Sequence, residues 1–516
     1  MSLSSRRGWI LVALGAVALA GCYPPFPLPF LSFVALVPPV LLLFDTEGNP
    51  RAAWRWGFRY GLITNALVLY WMVVALWHFT PFAALGYAIT VYLLGVFMGG
   101  LFWFVGRVRS VYPRLPLFLV FPLAWTTLEW AVGHLGDVAF PWLGLGTSLA
   151  DGRVLVQWAD IGGARGVTLW LVWCNVLVAM AIAGQGLLGA PRYVRRLGPV
   201  LLTLLAAWGY GTWRERTLPL RPLGTITLVQ PNIGFDEKWD PAIADSEVGL
   251  LLGLSRTATA GVRPGLVVWP EAAVPGLIED HPEWQARINA FAVEHRIPVL
   301  TGVVHYRLRD RGYTVYNAAV LFDTLGQWRP HGVYEKHYLV PVVERVPFVP
   351  VAWFRALPGL GRWSGGFGRG DSLPLFPTSL GRAGVVVCYE SAFEDLARKY
   401  RAAGADFLVN ITNDAWFGRT AAPYQHASHL VLRAIETRMG IARGANDGVS
   451  EFVDPLGRAT GQSELETQAV VTGQLMTSEV RTLYVQWGDW VGRLAVIGTL
   501  VMIGGLVVHK IGHRAS

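Results

Sequence analysis

The sequence predicts a transmembrane domain of eight helices joined to a water-soluble α/β domain. Hydrophobic residues make up 53% of the 516 positions and charged residues only 15%, whereas soluble domains carry about 25% charge. Apolar runs crowd the first 213 positions, and one more lies near the end of the chain. Between them, short β-branched runs alternate with helical patterns. This composition argues against an ordinary soluble enzyme.

Eight apolar runs are candidate transmembrane helices, because about 20 residues are needed to cross a bilayer core of ~30 Å. The first and last runs are short and must extend into their flanks. The start of the chain, from Arg6 to Cys22, also resembles a cleaved lipoprotein signal. A retained helix is favoured because further apolar segments follow directly. The runs are residues 9–21, 28–44, 56–77, 82–105, 115–132, 167–188, 197–213 and 494–508.

The charge distribution predicts the orientation of these helices. Residues 1–222 contain 16 Arg, no Lys and 7 acidic residues, a net charge of +9, while the rest of the chain has a net charge of −1. Most of these arginines fall on alternate turns between the apolar runs, as cytoplasmic loops do, with Arg153 and Arg165 as exceptions. Both termini are therefore predicted to be cytoplasmic. The neutral second part argues against a nucleic-acid partner.

Three domains are predicted: residues 1–213 with helices 1–7, residues 214–489 as an extracytoplasmic α/β domain, and residues 490–516 as the final helix and a cytoplasmic tail. Alternating strands and helices in the middle domain predict a layered sheet-and-helix structure. The predicted helices are residues 283–295, 392–403 and 425–443. The predicted strands are residues 225–230, 266–269, 298–304, 315–322, 384–388, 406–411, 448–453 and 469–475.

The cysteine and histidine residues predict neither a metal nor a cofactor. Cys22, Cys174 and Cys388 are too few for a disulfide framework, and their spacing matches no zinc or haem motif. His426 and His429 lie three apart on a predicted helix but lack a third ligand. Any cysteine chemistry must therefore use a single thiol.

Three residues stand at or just past predicted strand ends: Glu271, Lys336 and Cys388. Taken singly, each has an ordinary explanation, since Cys is among the most buried residue types. Together they provide a thiol, a carboxylate that can take its proton, and a fixed cation for developing negative charge. A free thiol has a pKa of ~8.5 and needs such help to attack an acyl carbon at neutral pH. This set predicts nucleophilic acyl chemistry with Glu271 as base and Lys336 as oxyanion donor.

At these residues the sequence resembles the nitrilase superfamily, whose Glu-Lys-Cys triads occur in this chain order on an α-β-β-α sandwich. With its membrane helices, the whole chain is similar to the bacterial apolipoprotein N-acyltransferase family. One departure is Asp447, where the family has Thr or Asn. The similar segments are residues 140–143, 159–163, 230–233 with Trp239, 344–348, 410–417 and 433–436.

The resemblance implies a two-step, ping-pong acyl transfer at the inner membrane of a bacterium, with a nitrilase-like domain on the periplasmic side. A membrane phospholipid would donate a fatty acyl chain to Cys388 as a thioester. The α-amine of an N-terminal diacylglyceryl-cysteine on an apolipoprotein would then accept it. The partners would be the donor, the acceptor and the bilayer, and no oligomeric state is predicted. Besides the triad Glu271, Lys336 and Cys388, the resemblance implies supporting roles for Trp239, Glu344, Tyr389 and Glu390.

Two other functions remain open from the sequence. A membrane-tethered nitrilase-type amidase would use the same triad, and exclusion of water from the thioester decides between hydrolysis and transfer. A transporter or scaffold with an inactive external domain is the second, because fold does not imply function. An intact Glu, Lys and Cys argue against it, as does the lack of the broken-helix pairs expected of a transport path.

The segment of residues 347–377 predicts a mobile lid over the site. It combines several aromatic residues with proline and glycine, and exposed aromatics partition favourably at a bilayer interface. The alternative is a packed loop, since Trp and Phe are usually buried. The aromatics that distinguish the two interpretations are Trp353, Phe354 and Trp363.

Overall fold

The computed structural model divides the chain into two units. The structure describes residues 5–26, 28–78, 82–184, 194–235, 237–309, 312–348 and 366–515. Trp353, Phe354 and Trp363 of the predicted lid lie outside these described residues. The first unit comprises Met1–Leu135, Phe140–Arg216 and Trp487–Ser516, and the second comprises Gly136–Ala139 and Thr217–Gln486.

The first unit is helical in its regular structure. Its third helix shows how the sequence sets a boundary: Asn49 accepts a hydrogen bond from the backbone N–H of Ala52 at 3.0 Å, and Pro50 occupies the first turn. The helices are α1 (Ser5–Ala20), α2 (Val37–Asp45), α3 (Pro50–Val68), α4 (Trp71–Trp77), α5 (Ala83–Val111), α6 (Leu117–Gly133), α7 (Arg153–Val156), α8 (Ala159–Ile182), α9 (Val194–Thr217) and a C-terminal helix, Trp490–Ala515.

Helices α3 and α5 approach each other closely through paired small residues. Gly57 and Gly61 lie one turn apart on α3, and a Cβ atom on either would fall 2.5 Å from a side-chain atom of α5. Gly95 and Gly99 repeat this spacing on α5 and face α3. Small residues four apart let helices pack backbone to backbone where lipid supplies no hydrophobic driving force.

Fewer helices have full spanning length than the eight predicted. All eight apolar runs contain helix within the described residues. By length and composition, only three described helices qualify as membrane spans: Ala83–Val111, Ala159–Ile182 and Trp490–Gly512. A fourth arises if α3 and α4, bent by 59°, form one broken span. The described part of the chain therefore supports three to four candidate spans and a membrane protein, while the count of eight stays a prediction.

The second unit contains two β-sheets. One has the strand order β13-β1-β2-β4-β5-β6, with β3 paired to β4, and the other has the order β12-β11-β10-β9-β8-β7. The strands are β1 (Arg221–Gln230), β2 (Leu266–Val268), β3 (Val274–Leu277), β4 (Val299–Arg309), β5 (Gly312–Phe322), β6 (Tyr334–Glu335), β7 (Phe376–Thr378), β8 (Gly381–Val387), β9 (Phe407–Thr412), β10 (Gly440–Ala445), β11 (Glu451–Val453), β12 (Ala459–Thr460) and β13 (Ala469–Thr477). The helices are α10 (Ala244–Thr259), α11 (Pro282–His295), α12 (Glu394–Ala403), α13 (Ala422–Thr437) and α14 (Leu483–Trp487).

Four layers make up this unit. Helices α10 and α11 cover the first sheet, where Leu251, Ile288 and Phe291 are fully buried. Each such side chain contributes about 1.5–3 kcal/mol on burial. Helices α12 and α13 cover the second sheet, and the two sheets meet where β10 packs on β1. The predicted α-β-β-α sandwich is confirmed.

The parallel strands of both sheets end at one site. Strand β2 runs parallel to β1 and β4, and β8 runs parallel to β9. Glu271 follows β2, Cys388 follows β8, and Asn413 follows β9. The backbone N–H of Asn413 donates to the Glu271 carboxylate at 2.9 Å, which joins the two carboxyl edges. Ligand sites of α/β sheets lie at such edges.

One predicted helix is wrong in its last six residues. The helix predicted over residues 425–443 ends at Thr437, Arg438 takes a positive φ of 54°, and Gly440–Ala445 is strand β10. A Cβ atom on Gly440 would lie 1.9 Å from the backbone oxygen of Met476. Only glycine permits that approach, and local periodicity does not reveal a contact with a strand so distant in sequence.

Candidate active site

Cys388 occupies a strained turn at the end of β8. Its φ is 51°, and a 3-10 turn begins at this residue. A non-glycine residue in this region costs about 1 kcal/mol or more and is typical of functional turns. The side chain is 2% exposed. The thiol is therefore held in place by the backbone and shielded from bulk water.

Lys336 lies between two buried carboxylates. Its Nζ atom is 3.1 Å from Oε1 of Glu271 and 2.9 Å from Oε1 of Glu344. The side-chain amide of Asn317 donates to the same two oxygens, at 2.7 Å and 2.9 Å. Glu344 therefore holds the Lys336 ammonium next to the Glu271 carboxylate. The Asn317 amide holds both carboxylates in place.

Backbone donors hold the second oxygen of each carboxylate. Oε2 of Glu271 accepts from the N–H of Asn413, and Oε2 of Glu344 accepts from the N–H of Val340 at 2.8 Å. Carboxylates that accept several hydrogen bonds are favoured in their charged form. Both acids are thus fixed in position, and this bonding favours the charged form of Glu271.

Glu271, Lys336 and Cys388 shift one another's pKa values through their charges. Burial alone would raise the pKa of Glu271, but the Lys336 ammonium and the Asn317 amide lower it overall. Burial opposes the charged form of Lys336, yet Glu271 and Glu344 raise its pKa well above the usual value. Burial and the Glu271 charge raise the pKa of the Cys388 thiol, which Lys336 partly offsets. The resting state is therefore a protonated thiol near a charged carboxylate.

Glu390 connects the Cys388 turn to the segment that carries Lys336. Oε2 accepts from the N–H of Val387 at 2.7 Å and from the Tyr334 hydroxyl at 2.6 Å. Oε1 accepts from the N–H groups of His337 and Tyr338 at 2.6 Å and 3.1 Å. Burial raises the pKa of Glu390 to about 7 against these bonds. Its geometry is that of a positioning residue.

The structure does not bring every predicted site residue to the same point. Glu271, Lys336 and Glu344 are in contact, and Cys388 lies within reach of the charges on Glu271 and Lys336. Tyr389 donates its hydroxyl to the backbone oxygen of Ala139 at 2.8 Å. Trp239 is 43% exposed on the loop after β1.

Sequence reasoning missed two residues of this site. Asn317 is a polar residue inside the apolar strand β5, and its backbone oxygen accepts from the N–H of Lys336 at 2.8 Å. That isolated amide was a signal, since buried polar groups need partners. Lys238 precedes Trp239 in the sequence and is buried beside Glu271, to whose backbone oxygen it donates at 2.8 Å.

Cys388, Asp414 and His426 place potential ligand atoms within 4.8 Å of one another. These residues do not fit a cation site, because Arg443 donates to Asp414 at 2.8 Å and lies 3.2 Å from Nδ1 of His426. Burial would raise the pKa of Asp414, but Arg443 and His426 lower it to about 2. A guanidinium already neutralises the carboxylate. Asp414, His426 and Arg443 therefore form a hydrogen-bonded cluster next to the Cys388 thiol.

Two family profiles match the sequence. Residues 225–484 match the family described as carbon-nitrogen hydrolase, and residues 15–177 match the apolipoprotein N-acyltransferase N-terminal domain. A solved amidase from Nesterenkonia sp. covers 52% of this chain and 95% of its own at 17% identity, with a TM-score of 0.38. The family assignment therefore depends on the sequence comparisons.

Curated relatives are similar over nearly the full length. A protein of Geobacter metallireducens named apolipoprotein N-acyltransferase is 33% identical, with 96% of this chain and 95% of the relative covered. Proteins of the same name from Gloeobacter violaceus and Chlorobaculum tepidum are 32% and 29% identical, each covering 97% of this chain and 94% and 97% of their own lengths. The chain belongs to the apolipoprotein N-acyltransferase family, and residues 225–484 form its carbon-nitrogen hydrolase domain.

Proposed function

We propose that this protein transfers a fatty acyl chain from a membrane phospholipid, through a thioester on Cys388, to the α-amine of the N-terminal diacylglyceryl-cysteine of apolipoproteins. The full-length similarity to proteins of that name supports the reaction. The buried Glu271–Lys336 pair beside the Cys388 thiol is the observation that carries it in the structure. Glu271, Lys336 and Cys388 form the proposed catalytic triad.

In the first half-reaction Glu271 takes the proton of the Cys388 thiol as sulfur attacks the carbonyl carbon of the phospholipid ester. The carbonyl oxygen becomes an oxyanion, and Lys336 donates to it. When the tetrahedral intermediate collapses, the C–O bond breaks and the proton on Glu271 passes to the leaving alkoxide. The products are a lysophospholipid and an acyl thioester on Cys388.

In the second half-reaction the neutral α-amine of the acceptor attacks the thioester carbon. Glu271 takes a proton from the attacking nitrogen, and Lys336 again stabilises the oxyanion. The C–S bond then breaks, an amide forms, and Cys388 recovers its proton. Because the first product leaves before the acceptor reacts, the mechanism is ping-pong. Burial of Cys388 supports transfer over hydrolysis, since water has little access to the thioester carbon.

The other predicted residues have proposed supporting roles. Glu344 holds the Lys336 ammonium in place through an ion pair of 2.9 Å. Glu390 keeps the Cys388 turn in register with the Lys336 segment. Tyr389 orients that turn through its bond to Ala139. Trp239 offers an exposed aromatic surface suited to the apolar part of a substrate.

Acyl transfer is tested by reconstituting the full chain into phospholipid vesicles and measuring its intact mass. We expect the mass to increase by one acyl chain at Cys388. Adding a diacylglyceryl-cysteine peptide with a free α-amine should remove that mass and give an N-acylated peptide. An amidase or esterase would instead release free fatty acid without acylating the peptide. That outcome, or the absence of any adduct, would contradict the proposed function.

We further propose the eight-helix topology, with residues 1–213 and 490–516 in the bacterial inner membrane and residues 214–489 on the periplasmic side. The alternating arginine turns support it. Reporter fusions that are active on only one side of the membrane, placed at Gln327 and after Ser516, should report opposite sides. A matched fusion in the turn at residues 107–114 should agree with Ser516. Signals from the same side at Gln327 and Ser516 would exclude this topology.

A further inference from the structure

A second buried lysine lies beside the proposed base. Lys238, on the loop after β1, is 1% exposed. Its Nζ atom donates to the backbone oxygen of Glu271 at 2.8 Å. An ammonium removed from water loses its hydration and requires compensating charge or hydrogen bonds. A lysine at this position is therefore expected to have a specific role.

Two buried carboxylates supply the compensating charge. Glu247 on α10 is 4% exposed, and Asp447 after β10 is 7% exposed. Among the described residues, neither oxygen of Glu247 nor Oδ1 of Asp447 has a hydrogen-bond partner. Acids buried in this way are stabilised by a nearby cation, and both lie within range of the Lys238 charge.

Lys238 contacts a strained part of the backbone. Ala272, directly after Glu271, has a positive φ of 46°. Gly302 lies so close that a Cβ atom on it would fall 2.5 Å from the backbone nitrogen of Ala272. Lys238 lies on another loop, and its hydrogen bond to the Glu271 backbone oxygen holds this turn in place. The direction in which the Glu271 carboxylate points depends on that turn.

The site also needs a second positive charge. Lys336 contacts two carboxylates, those of Glu271 and Glu344, so this trio has one negative charge in excess. Attack by Cys388 develops another negative charge on the substrate oxygen. The Lys238 ammonium interacts with Glu247 and Asp447, but its charge also acts on Glu271 and Cys388 and so counters part of this negative charge.

We propose that Lys238 is a positioning residue for acylation, which holds the Glu271 turn and supplies the second cation that keeps Glu271 ionised. This inference rests on the proposed function in taking Glu271 as the base for Cys388.

All charged groups that face this cluster enter its pH dependence. Burial lowers the pKa of Lys238 to about 8, while Glu271, Glu247, Asp447 and Cys388 raise it. Lys238 therefore loses its charge as the pH rises through about 8. Burial raises the pKa of Glu247 to about 7; the Lys238 charge opposes this rise, and the charges of Glu237 and Asp240 add to it. Burial also raises the pKa of Asp447 to about 7; the charges of Asp414 and Glu466 add to this rise, and the Lys238 charge opposes it. The Cys388 thiol also faces Lys336 and Asp414.

The test compares wild type, Lys238→Met and Lys238→Arg as full chains in phospholipid vesicles. Two rates are followed against pH: thioester formation by intact mass, and alkylation of Cys388 by iodoacetamide with peptide mass analysis. Loss of the cation raises the pKa of Glu271 and Cys388, so both profiles of Lys238→Met should move to higher pH. A shift of one unit makes each rate about tenfold slower on the acid side.

The arginine variant gives the opposite expectation on the alkaline side. A guanidinium stays charged at every pH used, so Lys238→Arg should keep its rate where wild type loses rate as Lys238 deprotonates. Glu247→Gln removes a carboxylate that stabilises the Lys238 charge, so its alkaline loss should begin at lower pH than in wild type. A purely structural lysine would change the yield of folded protein without moving either profile.

Unchanged profiles in a folded Lys238→Met protein would overturn the inference. If that variant does not fold, unchanged profiles in both Lys238→Arg and Glu247→Gln would overturn it. Failure of the proposed function gives a different result: wild type then forms no thioester from phospholipid. The alkylation profiles still decide the role of Lys238, because they need only the thiol and the reagent.

Discussion

Replacing Cys388 by alanine or serine is expected to reduce acyl transfer by on the order of 10³-fold or more while the domain stays folded. Alanine has no nucleophile, and a serine hydroxyl is far less acidic than a thiol. The side chain is small and lies at the end of β8, so little packing is lost. Thioester formation by intact mass, N-acylation of an acceptor peptide and thermal unfolding would be measured together.

Cys22 and Cys174 provide matched controls for this result. Both are buried free cysteines in the helical unit, and their replacement by alanine should leave both half-reactions near the wild-type rate. Retained thioester-dependent acylation in Cys388→Ala would show that the nucleophile is wrongly assigned. Loss of activity in Cys22→Ala would instead support the lipoprotein-signal interpretation of the N-terminus.

Lys336→Met is expected to lower both stability and rate. Removing the ammonium leaves the Glu271 and Glu344 carboxylates buried without their cation, and breaking a buried pair costs about 3–5 kcal/mol. Loss of one oxyanion donor costs a further ~2.7–4 kcal/mol in the transition state, or about 10²–10³ in rate. Thermal unfolding and single-turnover acylation would measure the two effects separately.

Two controls separate charge balance from chemistry. Lys399→Met removes an exposed lysine whose ion pair with Asp395 is worth about 0–1 kcal/mol, so it should change neither quantity appreciably. The double variant Lys336→Met/Glu271→Gln should recover part of the lost stability, because fewer uncompensated charges remain, but no activity. A Lys336→Met protein with wild-type stability and acylation rate would disprove the role assigned to the lysine.

The strand ends could be predicted from sequence because β-branched runs mark the strands that carry Glu271 and Cys388. Glu271 lies just past its predicted strand and Cys388 is the last residue of its own, and in the structure both residues follow the strands. The boundary between α13 and β10 could not be predicted in this way. It depends on the approach of Gly440 to the backbone of Met476, and residues 425–443 contain no local trace of that contact.

Side chains that serve the site through other residues were the hardest to predict. Asn317 is important because it bridges the carboxylates of Glu271 and Glu344. Lys238 is important because the loop after β1 places its ammonium within hydrogen-bond distance of the Glu271 backbone oxygen. In both cases the chemistry depends on which buried groups are neighbours, and this is set by the packing of two sheets.

The sequence by itself determined the membrane character of the protein, the alternating pattern of its α/β domain and the three residue types of its proposed chemistry. These follow from composition, periodicity and the position of reactive groups after strands, which are local properties of the chain. Tertiary structure alone decided how charge is balanced near the thiol. Lys336 contacts the carboxylates of both Glu271 and Glu344, and Lys238 donates to the Glu271 backbone oxygen. The physical reason is that the energy of a buried charge depends on distances of a few ångströms between residues far apart in sequence.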